Sequence, residues 1–358
     1  MNEKRKCMLP KLSTQKVFES CKKNRLLIIA EGFEPRALTW IEHASNCLEF
    51  ADAIICKYEP SSGDNKFDEL VCAVEKRCTG SIGQLNYNRF EPVLFEQRFS
   101  EILNNCSPYD EIFIDITVMS KMLIMIILYL LRDFDGNIRI IYTEPDTWGP
   151  SEDEFKAEIL KKSTESINHW IGLSSFGLDS VVKTPKLSSV AMQSCPIFLI
   201  SFFSFNTSLT WALLDEISPP KMQFINHSCQ RHMWRANAMH EINDKLIKDY
   251  ATHGIDFEEN ITVDKLNYME VFQALAKIYK ERCYKYRIII APTGGKLHAI
   301  ASALFKICCP DVHVEYPTPR GYSSDNYSSA DIHAIHQVEF ENFKNFTIGL
   351  ANSYKLNG

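Results

Sequence analysis

The sequence predicts an α/β protein built from two tandem Rossmann-like halves with mostly parallel sheets. Three observations carry this reading. Apolar strand-like runs alternate with helical patterns, the same order recurs in the second part of the chain, and three residue anchors repeat at nearly constant offset.

In the first half the runs are RLLIIA (25–30), ADAIICKY (51–58), EIFIDI (111–116) and NIRIIYTEP (137–145). Between the last two, KMLIMIILYLLRDFDGN reads as a helix ended by Asp-Gly, which makes a strand, helix, strand unit of parallel type. In the second half the corresponding runs are PIFLISFF (196–203), KMQFINHS (221–228), YRIIIAP (286–292) and DVHVEYPTP (311–319).

The anchors follow the same frame. Leu38-Thr39-Trp40 recurs as Leu209-Thr210-Trp211, Tyr142 as Tyr316, and Lys121 as Lys296, at offsets of 171, 174 and 175 residues. Ordered anchors in equivalent strand contexts argue for internal duplication. The expected organisation is an N-terminal arm (1–24), a first half (25–145), a linker or insertion (146–194), a second half (195–322) and a C-terminal tail (323–358). The linker begins as a loop, becomes a helix, and then turns Gly/Ser-rich; a strand pair folding back over the first half is the alternative for its second part. The tail is read either as a closing strand or as a partner contact.

Composition narrows the class. Of 358 residues, 45% are hydrophobic and 23% charged, as in ordinary globular proteins, and the net charge of −6 gives no global pull toward nucleic acid. Only the start, MNEKRKCMLPK, is locally basic. The twelve cysteines form no C-x-x-C pair and several lie in apolar runs, so they read as reduced thiols of a cytoplasmic protein. No secretory h-region follows the N-terminal charges, and MLIMIILYLL (122–131) is too short to span a bilayer.

The most suggestive stretch is IIIAPTGGKLHAI, a strand turning through Thr293-Gly294-Gly295-Lys296 into a helix. Free N–H groups at a helix N-terminus favour an anion, and Lys296 adds a point charge there; Thr293 either caps the helix or meets a phosphate oxygen. The pattern is not a P-loop, since no hydroxyl follows the lysine. A purely geometric glycine turn is the competing reading. This strand, Thr-Gly-Gly, Lys, helix order resembles the ligand loop of the CRISPR-associated Rossmann-fold sensor domains, whose usual motif, Thr-Gly-Gly-Thr-Lys, is one residue longer. The resemblance covers about ten residues and the strand order. It implies a cyclic-oligoadenylate type of ligand, and a duplicated chain is similar to the fused-pair version of that fold, with a pocket formed between its halves.

Other candidates lie at strand ends. The corner equivalent to Thr-Gly-Gly-Lys in the first half is DITVMSK, in which Asp115 caps a helix, contacts a ligand hydroxyl or acts as a base, and Lys121 matches Lys296. In AEGFEPRALTW, Glu34 and Arg36 either pair with each other or serve a ligand, Arg36 by holding phosphate. Asn206, Thr207 and Ser208 are the matching uncharged donors. Glu144 and Glu315 end the fourth runs, and Tyr142, Tyr316, Trp148 and Tyr322 offer rings for stacking or for packing. His227, Cys229, His232 and His240 share one segment with Arg231 and Arg235, two residues able to add positive charge; His333 and His336 have an i, i+3 spacing but no evident third metal ligand.

The chain is therefore expected to be a sensor or binding subunit for a nucleotide-type, phosphate-bearing ligand, without metal or other cofactor, working with a protein partner or as a homo-oligomer, and the resemblance implies prokaryotic antiviral defence. A nucleotide-processing enzyme using Asp115, Glu34 or Glu144, and a structural subunit of a complex, are the alternatives.

Overall fold

The computed structural model describes residues 9–44, 48–61, 65–105, 109–161, 175–322 and 328–354. The basic start of the chain, residues 162–174 of the expected linker and the ends of the expected tail lie outside them. In chain order the strands are β1 (Ser13–Thr14), β2 (Arg25–Ala30), β3 (Asp52–Glu59), β4 (Ile82–Asn88), β5 (Glu111–Asp115), β6 (Asn137–Pro145), β7 (Ser175–Val182), β8 (Ile197–Phe202), β9 (Lys221–Ser228), β10 (Asp256–Asp264), β11 (Arg287–Ala291), β12 (His313–Val314), β13 (Tyr316–Tyr322) and β14 (Ile332–Phe340). The helices are α1 (Thr39–His43), α2 (Phe67–Glu75), α3 (Val93–Asn105), α4 (Lys121–Leu130), α5 (Glu152–Lys161), α6 (Thr207–Ile217), α7 (Met233–Thr252), α8 (Tyr268–Arg282), α9 (Lys296–Cys308) and α10 (Phe343–Tyr354).

The chain divides into two units, one of residues 1–146 with 328–358 and one of residues 147–327. The first holds a seven-stranded sheet ordered β1-β14-β6-β5-β2-β3-β4. Its five strands β2 to β6 run parallel, while β14 is antiparallel to β6 and β1 antiparallel to β14. Strands buried on both faces must be apolar throughout, and every residue of β2 and β5 is buried. Helix α4 buries seven of its ten residues, so its continuous apolar run is a core helix. Trp40, the first-half anchor, is fully buried and stacks on Phe113 at 5.9 Å and 19°.

The second unit holds a five-stranded, all-parallel sheet ordered β10-β9-β8-β11-β12, with a separate antiparallel pair β13-β7. Counting each unit's parallel strands along the chain, both sheets read 3-2-1-4-5, the order of doubly wound α/β sheets. The repeated anchors occupy corresponding places. Trp40 and Trp211 lie in the helix after the first of these strands, and Lys121 and Lys296 each open the helix after the fourth. The second-half tryptophan is less deeply set, packing edge-on against Tyr250 at 6.0 Å.

Five segments add to the sequence reading or differ from it. The third strand of each unit, β4 and β10, was not foreseen, because IGQLNYN and DFEENITVD are edge strands rich in amides and charges. The run 311–319 is not one strand: β12 and β13 belong to different sheets, and Pro317 and Pro319, which cannot donate to a ladder, place β13 in a two-stranded pair. The second part of the expected linker does supply a strand, β7, but it pairs with β13 of its own unit. Finally, the expected tail does supply a closing strand, β14, which pairs antiparallel with β6 from Ile138 to Pro145 with a register shift between Ile332 and Ala334, and α10 follows it.

Candidate functional site

In each sheet the strand order reverses between the first and fourth parallel strands, and open α/β sheets place ligands outside the carboxyl ends of the strands at that point. In the second unit the reversal falls between β8 and β11. Just beyond β11, the Thr293 hydroxyl accepts the Phe202 N–H at 3.0 Å, donates to the Phe202 carbonyl at 2.6 Å and lies 3.0 Å from the Ser201 hydroxyl. It ties the ends of the two strands together, and the N-cap of the helix is Gly295, not Thr293.

Gly295 is the N-cap of the thirteen-residue α9, and Lys296 its first residue. The Gly295 N–H donates to His298 Nδ1 at 3.0 Å, so a side chain one turn along replaces the missing cap. The His298 ring is buried, stacked on Phe202 at 5.0 Å and edge-on to His227 at 4.9 Å. The two glycines differ in what they permit. A Cβ on Gly294 would collide with His298 Nδ1 and press on Phe202, whereas a Cβ on Gly295 would meet only His298 at 3.9 Å.

Strand β9 brings His227 to the same edge, and Lys265, just past β10, donates its N–H to the Ser228 carbonyl beside it at 2.7 Å. Burial first, and then the neighbouring His298, Lys265 and Arg235, push the His227 imidazole well below its usual range. Arg235, on α7, donates to the carbonyls of Trp148, Gly149 and Pro150 at 2.7–2.9 Å, and burial lowers it to about 10. The loop it clamps sets the Trp148 indole 3.2 Å from the Lys265 ammonium, with Arg231 at 5.9 Å and the His232 ring edge-on at 5.4 Å. Of the uncharged donors expected nearby, Asn206 stands at the N-cap position of α6 and accepts the Ser208 hydroxyl, and Thr207 is buried. Tyr316 is also buried, and Glu315 pairs with His313 at 3.1 Å and Lys183 at 3.5 Å.

The first unit's corner has a different character. Asp115 is buried and accepts the Thr117 N–H at 2.9 Å, an Asx-type turn, while the cap of α4 is Ser120, whose hydroxyl accepts the Leu123 N–H. Burial lowers Lys121 to about 8. Arg36 is buried, bonds Glu34 through two nitrogens at 2.7 and 2.8 Å and reaches the Thr143 carbonyl at 2.5 Å. Burial disfavours its charge, but Glu34 and Tyr142 outweigh that and hold it above its usual range. Of the two readings for Arg36, the pairing with Glu34 is the one the structure contains. Glu144 is likewise buried and paired, to His336 Nε2 at 2.7 Å. Tyr142 lies between these pairs, with Arg36 at 5.7 Å from its ring and the His336 ring stacked at 6.2 Å. His333 and His336 lie on a strand, where residues three apart point to opposite faces: His333 is exposed and His336 buried.

Two residues were missed by sequence reasoning. Glu31, the first residue past β2, is buried, accepts the Tyr58 N–H at 2.7 Å and is raised by burial; its signal was a carboxylate directly after the first strand. Lys265 follows a strand that sequence had not revealed.

No family model and no curated relative matches the chain. Among solved structures, the chain is similar to a Type III CRISPR defence DNA nuclease activated by cyclic oligoadenylate, at 10% identity and a TM-score of 0.47, over 82% of this chain and 65% of that one. This chain thus spans about two thirds of that protein's length. It is also similar to a putative universal stress protein from Pseudomonas aeruginosa UCBPP-PA14 (7% identity, 94% and 99% of the chains, TM-score 0.23). A third similar structure is the cytoplasmic domain of a prokaryotic cation chloride cotransporter (8% identity, 86% and 98% of the chains, TM-score 0.23). No described helix is long and apolar enough to cross a membrane.

Proposed function

We propose that this chain binds a nucleotide-type, phosphate-bearing ligand at the carboxyl edge of its second parallel sheet, and that it serves as a sensor or binding subunit in prokaryotic antiviral defence, signalling to a protein partner. The observation that carries the reading is the position of Lys296, first residue of α9, beside the point where the strand order reverses and next to the His298–His227 pair. A helix N-terminus and a lysine at one switch point make an anion-attracting edge. Binding is favoured over turnover because, of the three carboxylates suited to acid–base work, Glu34 and Glu144 are buried in pairs with Arg36 and His336 and Asp115 is buried and accepts the Thr117 N–H. Internal duplication, as the origin of the shared 3-2-1-4-5 order, is part of the same proposal.

Calorimetry with cyclic oligoadenylates, linear oligoadenylates and mononucleotides tests it. Binding of at least one of these, weakened tenfold or more by Lys296→Ala, is the expected result. Absence of binding across the panel, or a Lys296→Ala protein that binds as tightly as the original, refutes the reading. Ligand hydrolysis that disappears in Asp115→Asn would shift the assignment to an enzyme.

A further inference from the structure

The two large sheets end in four edge strands, and three of them carry a device against further pairing. Strands β1 and β12 hold two residues each, too few to template a ladder. Strand β10 bears the carboxylates Asp256, Glu258, Glu259 and Asp264, and its register against β9 shifts between Glu258 and Ile261. Short length, like charge and a bulge are the means by which native edges refuse a second chain.

Strand β4 has none of them. Its seven residues, Ile82 to Asn88, include no charge and no proline, and all seven keep unbroken register with β3, from Ala53↔Ile82 to Glu59↔Asn88. Among the described residues it pairs on that side only, and Gly83, Gln84 and Asn86 are exposed. Its amides keep the edge polar, but an amide, unlike a carboxylate, does not repel an identical strand. The edge is also held in place from behind. The Tyr87 ring meets Tyr58 edge-on at 5.6 Å and Phe95 of α3 at 5.3 Å, so a new neighbour costs this strand little ordering entropy. Beside Phe95 on the same helix, the apolar Leu94 is 54% exposed.

The sequence of β4 is complementary to itself. Antiparallel pairing about Leu85 sets Leu85 against Leu85, Gln84 against Asn86, Gly83 against Tyr87 and Ile82 against Asn88. No like charges meet, the exposed amides face each other, and each glycine receives a large ring opposite it, the cross-strand pairing that covers an edge glycine. The sheet already accepts antiparallel addition at its other side, where β14 joins β6.

We propose that β4 is a dimerisation edge: a second copy of this chain adds its own β4 antiparallel, about a twofold axis at Leu85, and so joins the two seven-stranded sheets. This surface belongs to the first unit, and its test needs no ligand. Sedimentation velocity on the full chain, over about 1–100 μM, should show a monomer–dimer equilibrium or a dimer throughout. Gln84→Lys/Asn86→Lys places lysine opposite lysine twice and should weaken association at least tenfold. Gln84→Glu/Asn86→Lys instead makes both opposing pairs attractive, sets the new cation beside Glu59, which now accepts from Asn86, and should associate within about threefold of the original. Amide hydrogen exchange gives a second readout in the unaltered protein: β4 should exchange more slowly in the dimer than in the monomer populated by dilution. A chain that stays monomeric across the range overturns the proposal. So do a double-lysine variant that associates as tightly as the original, a charge-swapped variant as weak as the double lysine, and β4 amides that exchange equally in monomer and dimer.

Discussion

Thr293 is bonded on both sides to one residue: its hydroxyl accepts the N–H of Phe202 and donates to the carbonyl of Phe202. These two hydrogen bonds tie the residue just past β11 to the end of β8 at the reversal of strand order. Thr293→Val keeps the shape and leaves both backbone groups without this partner in a buried place, so it should destabilise the protein by about 1–3 kcal/mol in chemical denaturation. Thr293→Ser retains the hydroxyl and should cost clearly less. Equal losses in the two variants would mean that the hydroxyl does not carry the stabilisation.

The two adjacent glycines make opposite predictions. Gly294 has no room for a methyl group, because the His298 ring and the Phe202 side chain occupy the place where it would lie. Gly295 has ordinary backbone angles, φ −80° and ψ 172°, and a Cβ there would make only an ordinary van der Waals contact with His298. Gly294→Ala should therefore cost about 1–3 kcal/mol through overpacking, whereas Gly295→Ala should change stability by no more than about 0.5 kcal/mol. Any anion that approaches the Gly295 backbone closely would still be repelled by the new methyl. The two effects separate when thermal denaturation and phosphate binding are measured on the same variants.

This contrast also shows what the sequence could and could not reveal. Buried parallel strands announce themselves, and RLLIIA was read to the residue because such a strand is buried on both faces and almost wholly apolar. The edges were hidden: IGQLNYN and DFEENITVD have the amides and charges that protect an open edge, which a search for apolar runs passes over. Motif position was legible, since Lys121 and Lys296 do open corresponding helices. Motif wiring was not. That Thr293 serves the strand ends, that His298 replaces the cap, and that Glu144 meets His336 across 192 residues of sequence are consequences of folding distant segments together. Nothing in local spacing encodes them.

Arg36 illustrates the energetic side of the same point. Its guanidinium is buried, with Glu34 and the Thr143 carbonyl as partners, so removing the arginine strands a carboxylate away from water. Arg36→Ala should destabilise by about 3–5 kcal/mol, and Arg36→Lys should fail to restore most of this because an ammonium cannot reproduce the forked contact. If Arg36 acted mainly as a phosphate ligand, the alanine variant would fold with nearly unchanged stability and lose only affinity. Urea denaturation followed by circular dichroism distinguishes the two.

His227 gives the pH dependence. Its folded-state pKa lies well below the usual 6.5, through burial and then through His298, Lys265 and Arg235. A histidine depressed on folding binds fewer protons folded than unfolded, so the stability it permits is complete above about 6.5 and is lost as pH falls from there toward the folded-state value. The slope from this one group is at most about 1.4 kcal/mol per pH unit. His227→Gln, which cannot take up the proton, should lose less stability between pH 6.5 and 5 than the original protein, with the two curves running parallel above pH 7. Thermal melts of both proteins across that pH range check this; curves that stay parallel down to pH 5 would show that His227 is not the group responsible.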